Sequence, residues 1–231
     1  MKCNIKLALL SVQALLLTLS LPAFAETYDG FNRSRWQIVV NGSNPVVKET
    51  NNRLEILLPA DSMDSPIAGT FNGSHTSICK LRGDFDLRVN YALPEFPEFN
   101  GVRVGLSVTE SLDPLVSAIS IQRTSFSQHD VIPASEVYLI DFGGIIATTV
   151  PTADTRGRLR LERVGNILTG YYFDSQLDNW QAISSATYTT GDVFFSIAAW
   201  SHDYAFDDKD VRVAFDRVFI EKGTLRGQCE S

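Results

Sequence analysis

Hydrophobic and polar side chains alternate most regularly in the middle of the chain, between Arg158 and Asp174. Leu159 and Leu161 alternate with arginine and glutamate, which is the two-residue period of a half-buried strand. The dipeptide Gly165-Asn166 then supplies a two-residue turn, and a second strand-like run follows it at once. This combination predicts an antiparallel β-hairpin.

The two-residue turn also predicts the register of the hairpin. Counting outward from the turn sets four cross-strand pairs, which are Val164 with Ile167, Leu161 with Gly170, Leu159 with Tyr172, and Arg160 with Tyr171. The leucines and Tyr172 then share one face, whereas Arg160 and Tyr171 share the other. Such a division is typical of an antiparallel sheet that packs one face on a core and turns the other to solvent.

Further strand-like runs follow one another along the chain, separated by turns rich in Gly, Pro, Asn and Asp. They are residues 36–40, 54–58, 85–91, 102–108, 119–121, 136–142, 181–184, 193–200 and 211–220. No segment from residue 26 onward repeats its apolar residues with a helical period. The sequence therefore predicts an all-β, two-sheet antiparallel sandwich of the jelly-roll type, formed by a single domain over residues 26–231.

The first 25 residues have a different character. Lys2 and Lys6 precede an apolar run over residues 7–21, and the small-x-small sequence Ala23-Phe24-Ala25 follows. These features predict a secretory signal peptide over residues 1–25, cleaved before Glu26, and an apolar run too short to favour a membrane span. We therefore expect a secreted or periplasmic protein without a membrane anchor.

The net charge of the chain bears on the partners that it can bind. The full chain has a formal net charge of −7, and the signal peptide would remove two of its lysines. Nucleic acid and anionic membranes repel such a chain, so we expect neither as a partner.

Cys79 and Cys229 are the cysteines that follow the predicted signal peptide. An exported chain enters an oxidising compartment, which predicts a disulfide between them.

The residues that follow the predicted strand 193–200 are the best candidates for binding. Trp200, His202 and Tyr204 alternate as a strand runs into a loop, and aromatic rings stack on the apolar faces of sugars. The alternative is that Trp200 is a core residue and Tyr204 caps the edge of the sandwich. Arg103 and Gln122 would hydrogen-bond a glycan if their strands form a concave sheet, and would be ordinary solvent-facing residues if they do not.

Four aspartates occupy the same loop, and two interpretations of them are open. A calcium ion requires several oxygen ligands close together, whereas a run of acids in a turn is also an ordinary solvated surface. The sequence requires no cofactor, and calcium is the ion that such a loop would hold. The residues concerned are Asp203, Asp207, Asp208 and Asp210.

Three segments resemble the concanavalin A-like lectin/glucanase superfamily. The run Gly83-Asp84-Phe85-Asp86-Leu87-Arg88-Val89 is similar to the strand that opens many members, the hairpin from Leu159 into Tyr171-Tyr172 is similar to their central hairpin, and residues 213–220 are similar to their last strand. After the hairpin, residues 174–180 lack the Asp-Gly turn of many members. The resemblance implies a jelly roll of two curved sheets and a function among lectins, sugar-binding modules, glucanases and lyases.

The catalytic motifs of the superfamily are missing from the chain. Its glucanases use a Glu-x-Asp-x-x-Glu strand, whereas Glu136 and Asp141 fall on opposite faces of a strand here. Its lyases use Gln-x-His, whereas Gln128 and His129 are adjacent. We therefore expect a secreted, non-catalytic, lectin-like domain that binds a glycan or polysaccharide. A hydrolase or lyase with a non-standard site, and an adhesive domain that recognises protein, are the alternatives.

Overall fold

A computed structural model describes residues 27–29, 35–50, 53–113 and 118–227 of the chain. The described residues form β-strands, turns and loops and contain no helix. Accordingly, this part of the chain has no helix that could span a membrane. The predicted all-β class is confirmed.

The described residues form fifteen strands. They are β1 (Thr27–Asp29), β2 (Trp36–Asn41), β3 (Val46–Thr50), β4 (Arg53–Leu58), β5 (Phe71–Ser77), β6 (Lys80–Glu95), β7 (Arg103–Thr109), β8 (Ile119–Phe126), β9 (Ser135–Phe142), β10 (Ile146–Pro151), β11 (Arg156–Val164), β12 (Ile167–Asp174), β13 (Asn179–Thr187), β14 (Phe194–Ser201) and β15 (Val211–Arg226).

The strands form two antiparallel sheets. An eight-stranded sheet has the order β13-β12-β11-β6-β15-β4-β3, with β1 paired to β15. A seven-stranded sheet has the order β10-β9-β8-β7-β14-β5-β2. The β11–β12 hairpin has the predicted register, with Val164 opposite Ile167 and Leu159 opposite Tyr172. The two-sheet antiparallel sandwich is therefore confirmed.

The hydrophobic core lies between the two sheets. Leu87 and Leu161 of the eight-stranded sheet and Leu106 and Ile121 of the seven-stranded sheet are fully buried in one cluster, and burying each such side chain stabilises the fold by about 1.5–3 kcal/mol. The sheets approach closely at Gly170, where a Cβ would lie 2.7 Å from a side-chain atom of Ile140 in the opposite sheet. One face of each sheet is therefore buried in the core.

Four strands of the two sheets fall where the hydrophobic pattern predicts none, namely β1, β3, β5 and β10. In β5 the core-facing positions include Gly73 and His75, both of which are buried although neither is a typical apolar strand residue. Strands β3 and β10 are sheet edges, and most of their residues are exposed or half-buried. The alternation that marks a half-buried strand is weak at such positions.

The predicted signal peptide lies outside the described residues, as does Cys229. Cys79 is fully buried, in the turn between β5 and β6. Near the other end of the chain, β15 pairs with β6 until Arg226 stands opposite Lys80. The chain therefore leaves β15 beside Cys79. The disulfide between Cys79 and Cys229 stays a prediction that this pairing supports.

Candidate functional site

A groove of about 660 Å³ crosses the outer face of the seven-stranded sheet. Neutral hydroxyl and amide side chains dominate its lining, and Trp200 is its aromatic residue. The polar residues are Gln37, Asn41, Thr70, Asn72, Ser74, Thr76, Ser107, Thr109, Ser111, Ser120 and Ser196. The side chains on the other face of these strands are buried in the core, so the groove follows directly from the two-residue period of the strands.

Trp200 projects from β14 into the groove rather than into the core. Its neighbours in the chain, Ala199 and Ser201, are buried, whereas Trp200 itself is half-buried. The six-membered ring of Trp200 extends over the adjacent strand β7 at Gly105, where a Cβ would lie 3.0–3.1 Å from two of the ring carbons. The absence of a side chain at Gly105 therefore makes the space that the indole occupies.

Hydrogen-bonding groups surround the indole on neighbouring strands. Asn72 of β5 is the register partner of Trp200 on one side and of Asn41 on the other. Two residues from Gly105 and four residues from Trp200, the hydroxyls of Ser107 and Ser196 lie 2.6 Å apart across β7 and β14. The floor of the groove thus combines one large ring with short polar side chains, and it leaves room above them.

His202 and Tyr204 lie in the loop that follows β14, where they form a stacked pair. Their ring centroids are 5.1 Å apart with an interplanar angle of 17°, and Tyr204 is 56% exposed. The Nδ1 atom of His202 lies 2.8 Å from the carbonyl oxygen of Gly69, in the loop between β4 and β5. Thr70 of that same loop lines the groove. The stacked pair is therefore fixed to a wall of the groove.

The same two loops are also joined by a reciprocal pair of aspartates. The backbone N–H of Asp64 donates to the carboxylate of Asp203 at 2.6 Å, and the backbone N–H of Asp203 donates to that of Asp64 at 3.1 Å. Since each carboxylate satisfies the backbone of the other loop, the loops hold one another in place.

Three of the four aspartates proposed as calcium ligands have separate partners. Asp203 binds Asp64, Asp207 pairs with Lys209, and Asp210 accepts a hydrogen bond from the backbone of Ala60. Asp208 is exposed and has a positive φ of 46°. Within the described ranges no group of three or more His, Cys, Asp or Glu side chains is placed to hold a metal ion. The calcium site at these four aspartates stays a prediction.

Arg103 and Gln122 lie on the groove side of the sheet, but their polar groups are used internally. Arg103 binds the carboxylate of Asp130 at 2.7 Å and the carbonyl of Gly101 at 2.9 Å. Gln122 is 3% exposed and exchanges hydrogen bonds with Ser120 and Thr124. Arg103 thereby fastens the loop after β8 to the sheet, and Gln122 stiffens the outer face of β8.

Two carboxylates reach the groove, both at the end away from Trp200. They belong to Asp113, in the loop after β7, and to Asp141, at the end of β9 opposite Ser120. Asp141 accepts a hydrogen bond of 2.5 Å from the backbone N–H of Gly144. Glu136 lies on the other face of β9, where it binds Arg123 and Ser125. The predicted placement of Glu136 and Asp141 on opposite faces is confirmed.

Sequence reasoning found Trp200 but missed most of the polar residues around it. Asn72, Ser74 and Thr76 lie on β5, which the hydrophobic pattern does not reveal as a strand. Without that strand, these residues cannot be assigned to the same face as Trp200. The Asn72–Gly73–Ser74 segment also has the composition of a turn, which hides its position in the sheet.

Comparison with solved structures identifies the fold. The chain is similar to Bacillus licheniformis β-glucanase, with 13% identity, a TM-score of 0.57, and coverage of 85% of this chain and 98% of that one. It is also similar to the exoplasmic/lumenal domain of VIP36 bound to Ca²⁺ and Man2, with 13% identity, a TM-score of 0.54 and coverage of 80% of each chain. A third similar structure is peanut lectin, with 10% identity, a TM-score of 0.55, and coverage of 82% and 92%. At these identities the likeness establishes the fold alone, which is that of the concanavalin A-like lectins and glucanases.

The particular family follows from the sequence of the domain. Residues 64–196 match the family described as protein of unknown function (DUF1583), C domain. The chain therefore belongs to this family. Among curated proteins, none matches the chain.

Proposed function

We propose that the groove binds a neutral glycan, with Trp200 as the ring on which a sugar stacks. The observation that carries this proposal is the half-buried indole of Trp200 over Gly105, in a groove whose other polar residues are mostly uncharged. In this proposal the protein is an exported, lectin-like module. Export rests on the sequence of residues 1–25, outside the described part.

The chemistry of the lining supports a sugar as the ligand. A pyranose ring has apolar C–H faces that pack on an aromatic ring, while its hydroxyls need donors and acceptors around the rim. The groove supplies both kinds of contact, since Asn41, Asn72 and the paired hydroxyls of Ser107 and Ser196 surround the indole. Tyr204 offers a second, exposed ring at the same end of the sheet. Its stacking on His202 holds it in place.

A glycan array with and without calcium tests the proposal. The wild-type domain should bind at least one neutral glycan, and Trp200→Ala should weaken that binding tenfold or more, equivalent to about 1.4 kcal/mol. Tyr171→Ala is the matched control, because Tyr171 is also a half-buried aromatic ring but lies on the other sheet. Both variants must retain the thermal melting profile of a folded domain. The absence of binding to every glycan, or equal losses in the two variants, would contradict the proposal.

Hydrolysis of a polysaccharide is the second candidate function, since Asp113 and Asp141 line one end of the same groove. Two carboxylates are the minimum that a glycosidase needs. Release of reducing ends from a bound polysaccharide, abolished by Asp141→Asn, would support this candidate. Binding without release would leave the lectin-like function.

A further inference from the structure

A second depression lies on the opposite side of the molecule, on the outer face of the eight-stranded sheet. Its volume is about 890 Å³, and three arginines line it, Arg53, Arg156 and Arg158. Among the described residues that line it, the acids are Asp154 and Asp216. We call this depression, with its three arginines, the arginine cleft. It is a basic surface on a chain whose net charge is −7.

The acids of the arginine cleft are already engaged. Asp216 lies 3.2 Å from the Nε atom of Arg53, and Asp154 accepts a hydrogen bond of 2.9 Å from the hydroxyl of Tyr138. Over the described ranges, neither Arg156 nor Arg158 has a carboxylate within ion-pair distance. Both of these arginines are exposed. Two guanidinium groups therefore line the cleft without an ion-pair partner.

The guanidinium of Arg158 is held in a defined orientation. Its central carbon lies 3.4 Å from the centroid of the Phe173 ring, which is the separation of stacked planar groups. Phe173 in turn meets Trp180 edge-on, with centroids 5.4 Å apart and an interplanar angle of 79°. The N–H bonds of a guanidinium lie in its own plane, so stacking on Phe173 leaves them all available to a planar acceptor at the edge.

Two other arginines on the same face behave differently. Arg88 and Arg160 both bind the carboxylate of Asp86, and each has a second acidic partner, Glu221 and Glu162 respectively. Their charges are thus neutralised within the protein. The contrast separates arginines that tie strands together from the two that line the cleft without an acidic partner.

We propose that the arginine cleft binds the anionic group, a carboxylate or a sulfate, of an acidic polysaccharide. Arg156 and Arg158 project to the same side of β11, about 7 Å apart, and Asn90 stands beside Arg158 on β6 with exposed Arg217 beyond it on β15. The guanidinium groups of Arg156 and Arg158, together with the amide of Asn90, supply donors for anion oxygens. Phe173 and Trp180 supply an apolar surface for the sugar ring that carries the anion. This site lies on the opposite sheet from the groove and does not depend on it.

Affinity electrophoresis of the whole domain in gels that contain a polymer tests the proposal. The probes are polygalacturonate for carboxylate, dextran sulfate for sulfate, dextran as the neutral sugar and polyglutamate as an acidic polymer without sugar. The wild-type domain should be retarded by polygalacturonate or dextran sulfate, more strongly at low salt, and more than by dextran or polyglutamate. The polymer that retards it identifies the anionic group.

Two variants locate the site. Arg156→Gln/Arg158→Gln should weaken the retardation at least fivefold, because both unpaired guanidinium groups are lost. Arg82→Gln is the control, since exposed Arg82 lies on β6 about 26 Å from Asn90 by strand length. Trp200→Ala should leave the retardation unchanged, which separates this site from the groove. No retardation by either acidic polysaccharide, equal retardation by polyglutamate, or an equal loss in Arg82→Gln would overturn the proposal.

Discussion

The carboxylate of Asp86 binds the guanidinium of Arg160 through two hydrogen bonds of 2.8 Å across β6 and β11. Arg88, on the same strand as Asp86, binds the same carboxylate at 3.0 and 2.7 Å. Burial alone would raise the pKa of Asp86, but the hydrogen bonds and charges of the two arginines outweigh burial and hold the pKa below its ordinary value. One buried carboxylate thus joins two arginines on the outer face of the eight-stranded sheet.

Protonation of Asp86 should therefore cost stability in acid. Because its pKa is lower in the folded than in the unfolded state, the stabilisation is fully present above the unfolded pKa of about 3.9 and is lost as the pH falls below that value. Asp86→Asn should lower the free energy of unfolding by about 2–4 kcal/mol at pH 7 and flatten the acid limb of the stability curve. Urea unfolding between pH 2.5 and 7 measures both effects. The control Glu98→Gln, at an exposed loop position, should change neither, and an unaltered acid limb in Asp86→Asn would refute the assignment.

Arg163 is a fully buried arginine that closes one end of the sandwich. It donates hydrogen bonds to the backbone carbonyls of Gly83, Thr189 and Gly191, and its guanidinium lies 4.8 Å from the centroid of the Phe85 ring. Burial lowers the pKa of Arg163 from its ordinary value. The guanidinium is thus the donor to three backbone carbonyls, one in β6 and two in the loop after β13.

Arg163→Met should destabilise the domain by about 3 kcal/mol or more, because several buried carbonyls would lose their donor at once. Arg163→Lys should recover only part of this loss, since one ammonium cannot reproduce the planar fork. Urea denaturation of both variants measures the difference. If the free energy of unfolding of Arg163→Met lies within roughly 0.5 kcal/mol of the wild type, which is the scatter of surface substitutions, the carbonyls have other partners and the assignment is wrong.

The hairpin and β5 show how much of the fold could be predicted from the sequence. In the hairpin, Leu159 and Leu161 mark the buried face and Gly165-Asn166 marks the turn, so strand, face and register all follow from local chemistry, as the structure confirms. In β5 the core positions include Gly73 and His75, which the opposite sheet accommodates. A Cβ at Gly73 would lie 2.7 Å from a side-chain atom of Ile56. The hydrophobic pattern of β5 therefore does not mark it as a strand. Its place in the sheet depends on the residues of the opposite sheet that pack against it.

The candidate site, too, could be predicted from the sequence only in part. The alternation of β14 places Trp200 on the face opposite Ile197 and Ala199, so its outward position could be inferred once the core face was known. The space that the indole occupies could not be inferred. It depends on Gly105 of β7, and Gly105 comes to lie beside the indole through the pairing of β7 with β14. Arg103 and Gln122 lie on the expected side of the sheet, but the loop after β8 and the hydroxyls of β8 use their polar groups.

Gly157 is the point at which a buried pair of tyrosines meets the backbone of β11. The hydroxyls of Tyr91 and Tyr138 lie 2.6 Å apart, and burial raises the pKa of both. A Cβ at Gly157 would lie 2.7 Å from the hydroxyl oxygen of Tyr91 and 2.9 Å from that of Tyr138. Gly157→Ala should therefore displace the pair and destabilise the domain by about 1–3 kcal/mol.

A double-mutant cycle with Tyr91→Phe checks this cause. Tyr91→Phe removes the atom nearest the new methyl group, so the double variant should be destabilised by less than the sum of the two single variants. The midpoint of urea unfolding gives all four free energies. Simple additivity would show that the cost of alanine arises elsewhere, for example in the backbone of β11.

Gly105→Ala tests whether the position of the Trp200 ring matters for binding. The added methyl group would lie 3.0 Å from a ring carbon of Trp200 and 3.0 Å from the carbonyl oxygen of Ile121, which is closer than ordinary van der Waals contact. The indole is the softer neighbour, because it is half-buried and opens onto the groove. It should therefore move, at a cost to folding of about 1 kcal/mol or less, while glycan binding weakens several-fold. Tryptophan fluorescence reports the movement, and titration with the glycan that the array identifies reports the affinity.

Ala198→Gly is the matched control on the neighbouring strand, because it changes the groove floor by one methyl group without obstructing the ring. If Gly105→Ala binds that glycan as tightly as the wild type while its fluorescence shifts, the indole does not position the sugar, and the binding surface lies elsewhere on the groove.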